Sequence, residues 1–502
     1  MKKHTLKIFA LLLAVLFILP AAVSCEKNTT VTDDPAGNVT ETVTYTLNGT
    51  DINEYTIIYS ESGLDFNKRA AEYISGEIAA ATGVTLQVKL DTETADTGNE
   101  ILVGITNRDA DAFTAEEFKD EFKFASVTKG DSVLLYGEEY MIAGAAYDLV
   151  KQLSEAKDVT VSEEITVGQP VFEDPKNVIF IIGDGMGFNS LKLGAELFET
   201  DKNTKYECVS GYHQYPVANR LPYKAQSYTH SLDSDVTDSA AGGTALATGY
   251  KTYNDVIALN GDLKEVKSLT ELAYELGKKT AVMTTDDIDG ATPSAFSVHN
   301  IDRDNQDELL SAQENSDFDL LQGTIRDPAA SLRRMFRRYS DNEKGFFVMY
   351  EEARIDKAAH SKNKDEFYQA YTRLNTALRV SFEFMMYNPD TVLILTADHE
   401  TGGITLDEET GCYEFTKGSH SQVNVPFYAI GKGTEVIDGK TYDNTGIAKL
   451  AARLMGVNDF GDPSLFETTD KTGLEVMTEE EKREIFLKKS KVELAYKGII
   501  IG

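Results

Sequence analysis

From Asn177 onward, short uninterrupted apolar runs recur along the chain: NVIFII, TAVMTT, FFVMY, TVLILT and VPFYAIG. Between them lie amphipathic segments with helical spacing, such as KSLTELAYELG and FYQAYTRLNTALRVSFEFMM. A strand escapes period-two alternation only when both its faces are buried, so this pattern predicts an α/β fold with a mostly parallel sheet sandwiched by helices. A smaller pattern precedes it between residues 44 and 168. There EYTIIYS, VTLQVKL, ILVGIT and SVLLYG read as strands. DFNKRAAEYISGEIAAATG, ending at Gly83, and MIAGAAYDLVKQLSEA read as helices. The predicted organisation is a small α/β accessory domain at 44–168, a junction containing Pro170 and Pro175, and a larger α/β domain at 175–502. The small domain reads as a spacer or packing unit as readily as a ligand-binding one.

The N-terminus changes the picture of where the chain resides. Residues 1–25 read MKKHTLKIFALLLAVLFILPAAVSC, with a basic start, an apolar run from Ile8 to Leu19 and small residues before a cysteine. This is the form of an export signal, and the run is shorter than a membrane-spanning helix needs. Ala22-Val23-Ser24-Cys25 resembles a bacterial lipobox, although Ala22 stands where that motif usually carries Leu, Val or Ile. The expectation is an extracytoplasmic protein, periplasmic or at the cell surface, attached to the membrane through a lipid on Cys25. Plain secretion is the alternative. Residues 26–43 are polar and read as a tether.

Composition then limits the partners. The formal net charge is −33, from 49 basic and 82 acidic residues. A polyanion such as nucleic acid, or an anionic bilayer surface, would be repelled over the whole molecule. A phosphate-like ligand must therefore meet a locally positive site. Besides Cys25, only Cys208 and Cys412 are present; they form one disulfide or remain two buried thiols.

Candidate chemistry collects at one place. In an open parallel sheet, ligands bind beyond the carboxyl ends of the strands. After NVIFII comes GDGMG with Asp184; after TAVMTT comes DDIDGATP with Thr292; after FFVMY comes Glu351; after TVLILT come Asp398 and His399. Asp356 and His360, four apart in RIDKAAH, share one face of a helical turn, and His420 precedes the last strand. Singly, each has an ordinary reading as a surface pair, a cap or a tight turn. Together at one sheet edge, they suit zinc where imidazoles occur and magnesium where all donors are oxygen. Two such cations clamp in-line displacement at phosphorus, so the reaction class is phosphoryl transfer or hydrolysis.

GDGMG, VTDSAAGGTALATGYKTYN, the ATP triplet at 291–293, EEARIDKAAH, TADHETGG and GSHSQVNVP occur in an order that resembles the alkaline phosphatase family, over about residues 177–456. The resemblance implies that Asp356, His360 and His420 hold one zinc and that Asp184, Asp398 and His399 hold a second. It implies a magnesium on Asp184, Thr292 and Glu351, Ser239 as a nucleophile that forms a phosphoserine, Arg303 as the phosphate-gripping guanidinium, and Lys357 as a substrate-binding cation. Small phosphate esters are the implied substrates; an oligomer fits but is not assigned. Gly290 stands where members of the family usually have Asp or His. A phosphodiesterase of the same superfamily is the nearest alternative, and a non-catalytic glycan- or phosphate-binding surface lipoprotein is one of another class.

Overall fold

The structure, a computed structural model, describes residues 29–33, 39–108, 122–201, 217–463, 484, 487 and 490. Cys25 and Cys208, and with them the lipidation and disulfide expectations, lie outside this set. Within the stretch read as a tether, Thr29–Asp33 pairs antiparallel with Val39–Val43.

The larger domain is built on an eight-stranded sheet. From one edge, its strands are Leu320–Gln322, Lys279–Thr284, Phe346–Glu352, Asn177–Gly183, Thr391–Thr396, Val425–Ile430, Tyr223–Tyr228 and Thr441–Asp443. All five predicted strands are present, and every residue of Asn177–Gly183, Phe346–Glu352 and Thr391–Thr396 is buried. Three further strands sit at or next to the sheet edges, where partial exposure gives them mixed sequences such as YKAQSY without a clean apolar run. Val425–Ile430 runs antiparallel to both its neighbours, while every other adjacent pair is parallel. That reversal brings the beginning of this strand, and His420 just before it, to the edge where the parallel strands end.

The accessory domain carries its own six-stranded sheet, covered by the predicted helices at Phe66–Thr82 and Ile142–Ala156. The first helix stops where expected, with Gly83 left-handed at φ 78° and its N–H bonded to Ala79 O. The two domains share one hydrophobic core, which runs from Leu47, Ile74 and Leu149 to Ile179, Leu374 and Phe382. Tyr140 of the accessory domain packs its ring 5.0 Å from that of Phe382 on the long helix Lys364–Tyr387. Around this contact, Arg379 Nε meets Glu139 Oε2 at 2.7 Å, and Glu383 accepts from Arg69 at 2.6 Å and from Arg333 at 3.0 Å. The accessory domain is therefore packed against the larger one. Among the described residues, no helix is long and apolar enough to cross a membrane.

Candidate metal centre and nucleophile

Each strand that ends at the common edge delivers a polar side chain there. Asp184 follows Asn177–Gly183, and the chain turns immediately at Gly185, whose φ is 73°. A Cβ on Gly185 would lie 2.9 Å from both Cα and Cβ of Asp356, so only glycine permits this approach. Glu351 lies in the last turn of its strand's pleat, within Phe346–Glu352. Asp356 and His360 share the helix Arg354–His360 as the four-residue spacing predicts.

Two overlapping donor groups result. Asp356, His360 and His420 form one, and Asp184, Asp356 and His399 the other; within each, the ligand atoms lie within 4.8 Å of one another. Asp356 Oδ1 is 3.3 Å from His360 Nε2 and 3.5 Å from His420 Nε2. His399 Nε2 is 3.5 Å from Asp184 Oδ1 and 3.2 Å from Asp398 Oδ2. Asp356 thus stands between two groups that the sequence separated, and Asp398 joins the second through its free oxygen.

The three imidazoles are oriented alike. His360 Nδ1 bonds to Gly418 O and His420 Nδ1 to Thr237 O, both at 2.9 Å. His399 Nδ1 meets Thr401 Oγ1 at 3.2 Å, and that hydroxyl donates onward to Asp356 Oδ1 at 2.5 Å. With every Nδ1 beside an oxygen, every Nε2 faces the site, where it can bind a cation once the proton that Asp356 favours on His360 is displaced. His360 Nε2 and His420 Nε2 lie only 3.1 Å apart, a distance at which two lone pairs need a cation or a shared proton. Asp184 Oδ1 and Asp398 Oδ2 are buried without a hydrogen-bond partner. The residues present fit divalent cations.

The electrostatics agree. Burial, then the charges of Asp398, Asp356 and Glu351, raise Asp184 well above the usual carboxylate range. Burial pushes Glu351 up to about 8 and Asp398 up to about 6. Burial also lowers His399 to about 4 and lowers His420. The hydrogen bond to Asp356 raises His360 to about 9, while burial of Asp356 is outweighed by that bond and neighbouring imidazoles, which hold it down to about 2. Carboxylates kept from ionising by burial, and then by one another's charge, are the groups a divalent cation relieves.

Ser239 opens the helix Ser239–Thr248, and its Oγ lies 3.1 Å from His399 Nε2. Asp238 caps this helix by accepting from Ala241 N at 2.9 Å through Oδ1, while its Oδ2 accepts from Arg303 Nη1 at 3.0 Å. One carboxylate therefore fixes both the helix start and the guanidinium. Arg303, Ser239, Thr292, Glu351 and Lys357 line a cavity of about 200 Å³. The structure brings together the residues predicted as metal ligands, catalytic and substrate-binding; Cys25, the predicted lipidation site, lies outside the described residues.

Sequence reasoning missed the residues one layer out. Thr401 links the two donor groups; Thr284 Oγ1 donates to Glu351; and Glu352, wholly buried, is gripped by Arg373 at 2.9 and 3.0 Å. No motif marks these, because a hydroxyl's partner is fixed only by the fold. Asp286, which pairs with Lys357, lies two residues past the end of the strand Lys279–Thr284, and the same strand-end rule that found Asp184 points to it.

Fold and donor set together define an α/β protein whose sheet edge carries two overlapping groups of residues that could hold cations, beside a serine at a helix N-terminus. The family model described as alkaline phosphatase matches residues 175–330 and 329–417. Over those residues the chain is identified as a member of that family. It is 29% identical over 300 residues to alkaline phosphatase 4 of Bacillus subtilis (strain 168), covering 46% of this chain and 62% of the relative. It is 27% identical over 312 residues to alkaline phosphatase 3 of the same organism, covering 48% and 64%. The chain thus spans less than two thirds of the length of these relatives. Among solved structures, the alkaline phosphatase from the Antarctic bacterium TAB5 superposes with a TM-score of 0.51 at 25% identity, covering 57% of this chain and 99% of that one. That of Thermus thermophilus, 17% identical, shares the fold with a TM-score of 0.51 over 63% and 96%.

Proposed function

We propose that this protein hydrolyses phosphate monoesters outside the cytoplasm, through phosphorylation and then dephosphorylation of Ser239. The observation that carries the reading is that Ser239 and Arg303 line one cavity, with Ser239 Oγ 3.1 Å from His399 Nε2, beside two donor groups. Zinc on Asp356, His360 and His420 and on Asp184, Asp398 and His399, with magnesium on Asp184, Thr292 and Glu351, would supply Lewis-acid stabilisation of the attacking and leaving oxygens. A variant of the TAB5 enzyme, 25% identical with a TM-score of 0.50, is described with Mg bound in the M3 site, which supports magnesium in this reading.

The chain's own residues supply the rest. Arg303 offers a planar fork for two phosphoryl oxygens and cannot lose its proton. Asp238 holds that fork from behind, so it meets the phosphoryl group in one orientation. Backbone N–H groups in the first turn of Ser239–Thr248 add partial positive charge on the same side. The serine oxygen attacks phosphorus as the alcohol leaves; water then cleaves the phosphoserine and releases phosphate. Attachment to a membrane through Cys25 belongs to the same proposal.

The test is hydrolysis of a chromogenic phosphate monoester by wild type and Ser239→Ala, with zinc and magnesium supplied. A loss on the order of 10³-fold or more is expected for the variant. Equal rates would sink the nucleophile assignment. Cleavage of a diester without turnover of a monoester would favour the phosphodiesterase reading.

A further inference from the structure

Successive residues of a strand point to opposite faces, so the two carboxylates that end Phe346–Glu352 part company. Glu351 lines the cavity, while Glu352 turns to the face covered by the long helix Lys364–Tyr387 and meets Arg373 there at 2.9 and 3.0 Å. Glu352 is wholly buried and Arg373 nearly so, at 21% exposure. A buried ion pair is seldom more stabilising than apolar side chains of the same volume, so stability gives no reason for a carboxylate at this position. Its contacts do.

Glu352 closes the turn between its strand and the helix Arg354–His360. Its Oε1 accepts from Arg354 N at 3.2 Å and from Thr285 Oγ1 at 3.1 Å, and Thr285 Oγ1 in turn accepts from Ala353 N at 3.0 Å. Both N–H groups of the connection are thereby held. Thr285 lies just past the neighbouring strand Lys279–Thr284, and its own N–H donates to Glu351 O at 3.1 Å. The backbone carbonyl of Glu352 accepts from Asp184 N at 3.2 Å. One residue therefore touches the chain at Asp184, follows Glu351 and fixes the start of the helix that carries Asp356 and His360.

We propose that Glu352 is a positioning residue: together with Thr285 it sets the turn between Glu351 and Asp356, and thereby the magnesium affinity of the group Asp184, Thr292 and Glu351. The inference rests on the reading of that group as a magnesium site within the proposed phosphatase. Arg373 supplies the counter-charge that a buried carboxylate needs and holds it against the turn. The physical basis is geometric. Magnesium demands a near-ideal octahedron of oxygens at short distances, so a small displacement of its donors is costly. A partner one bond removed from a ligand contributes about 10- to 100-fold to metal affinity.

The experiment is calorimetric titration of magnesium into the zinc-loaded full chain as wild type, Thr285→Val, Thr285→Ser, Glu352→Gln and Thr285→Val/Glu352→Gln. Thr285→Val changes no charge and removes the hydroxyl between Glu352 and Ala353. It is expected to weaken magnesium binding by about tenfold, and Thr285→Ser to keep the wild-type affinity. Glu352→Gln is expected to lose about tenfold as well, and the double variant to fall within about twofold of the weaker single one, because both act through one turn. Thermal unfolding of each variant with a chelator reads stability apart from the metal. A lowered Tm with wild-type magnesium affinity in both single variants makes the pair merely structural and overturns the inference. Losses that multiply to about a hundredfold in the double variant sink it too, as does a loss in Glu352→Gln with none in Thr285→Val, which a missing charge alone explains. Absence of magnesium binding by the zinc-loaded wild type removes the magnesium site and the inference together. Monoester hydrolysis by the same wild-type sample decides the phosphatase reading separately.

Discussion

Three imidazoles converge here because the atom opposite each Nε2 is already committed. Thr401 is the least replaceable of these supports, since its hydroxyl accepts from His399 and donates to Asp356. Thr401→Val keeps the shape and removes both bonds. It is expected to lower zinc affinity by about 10- to 100-fold, the usual cost of losing a partner of a ligand. Competition with a chromogenic chelator measures this, and unchanged affinity would remove Thr401 from the site. The titrating groups give a second prediction. In chelated protein, Glu351 at about 8, Asp184 well above its ordinary value and His360 at about 9 are all raised. The folded chain then binds more protons than the unfolded one between about pH 6.5 and 8, so its stability falls as pH rises through that window. His399 and His420, which are lowered, add stability with rising pH only up to about 6.5 and do not cancel the effect above it. Thermal unfolding with a chelator should therefore show Tm dropping from pH 6.5 to 8, and saturating zinc and magnesium should flatten the curve.

At the scale of elements, the run SAAGGTALAT has a definite cause. The helix Ser239–Thr248 is buried along its whole length, so it has no exposed face to fill with long side chains. A Cβ on Gly242 would lie 2.9 Å from Asp398 O, and one on Gly243 would lie 3.2 Å from Thr292 Cα. The helix packs against the two segments that carry candidate ligands, not simply against the sheet below. Gly243→Leu is expected to displace Thr292 and its short helix, lowering activity and costing about 1–3 kcal/mol of stability through overpacking. Normal activity and an unchanged unfolding midpoint would refute the packing argument. The same scale explains His420: a residue before a strand reaches the site only because Val425–Ile430 runs against its neighbours. The apolar run VPFYAIG predicts a strand but carries no sign of direction.

For the whole molecule, the shared core makes the accessory domain and the larger domain one cooperative body. Arg379 is 1% exposed and its partner Glu139 14%, so this ion pair crosses a dry interface. Arg379→Ala would leave the carboxylate without its cation, at an expected cost of about 3–5 kcal/mol. Calorimetry of the intact chain should show a single unfolding transition, and deletion of residues 44–168 should leave an aggregation-prone remainder with its apolar helix face exposed. Two resolved transitions, or a soluble and fully active deletion variant, would show that the domains are independent. The consequence for function is structural support: the long helix that takes the accessory domain at Phe382 also holds Glu352, beside Glu351, through Arg373.

The sequence by itself determined the α/β class, five of the eight strands of the main sheet, the two helices of the accessory domain and every member of the two candidate donor groups. It could do so because buried strands leave continuous apolar runs and because strand ends in a parallel sheet deliver their next residues to one edge. Tertiary structure alone decided that Asp356 lies between both donor groups, that Thr401 and Thr284 orient ligands, that Asp286 takes Lys357, and that the accessory domain is packed against the long helix. These are contacts between residues far apart in the chain, often made by threonines and carboxylates equally at home on a surface. Nothing in local spacing specifies such a partner; the packing of the sheet and its helices does.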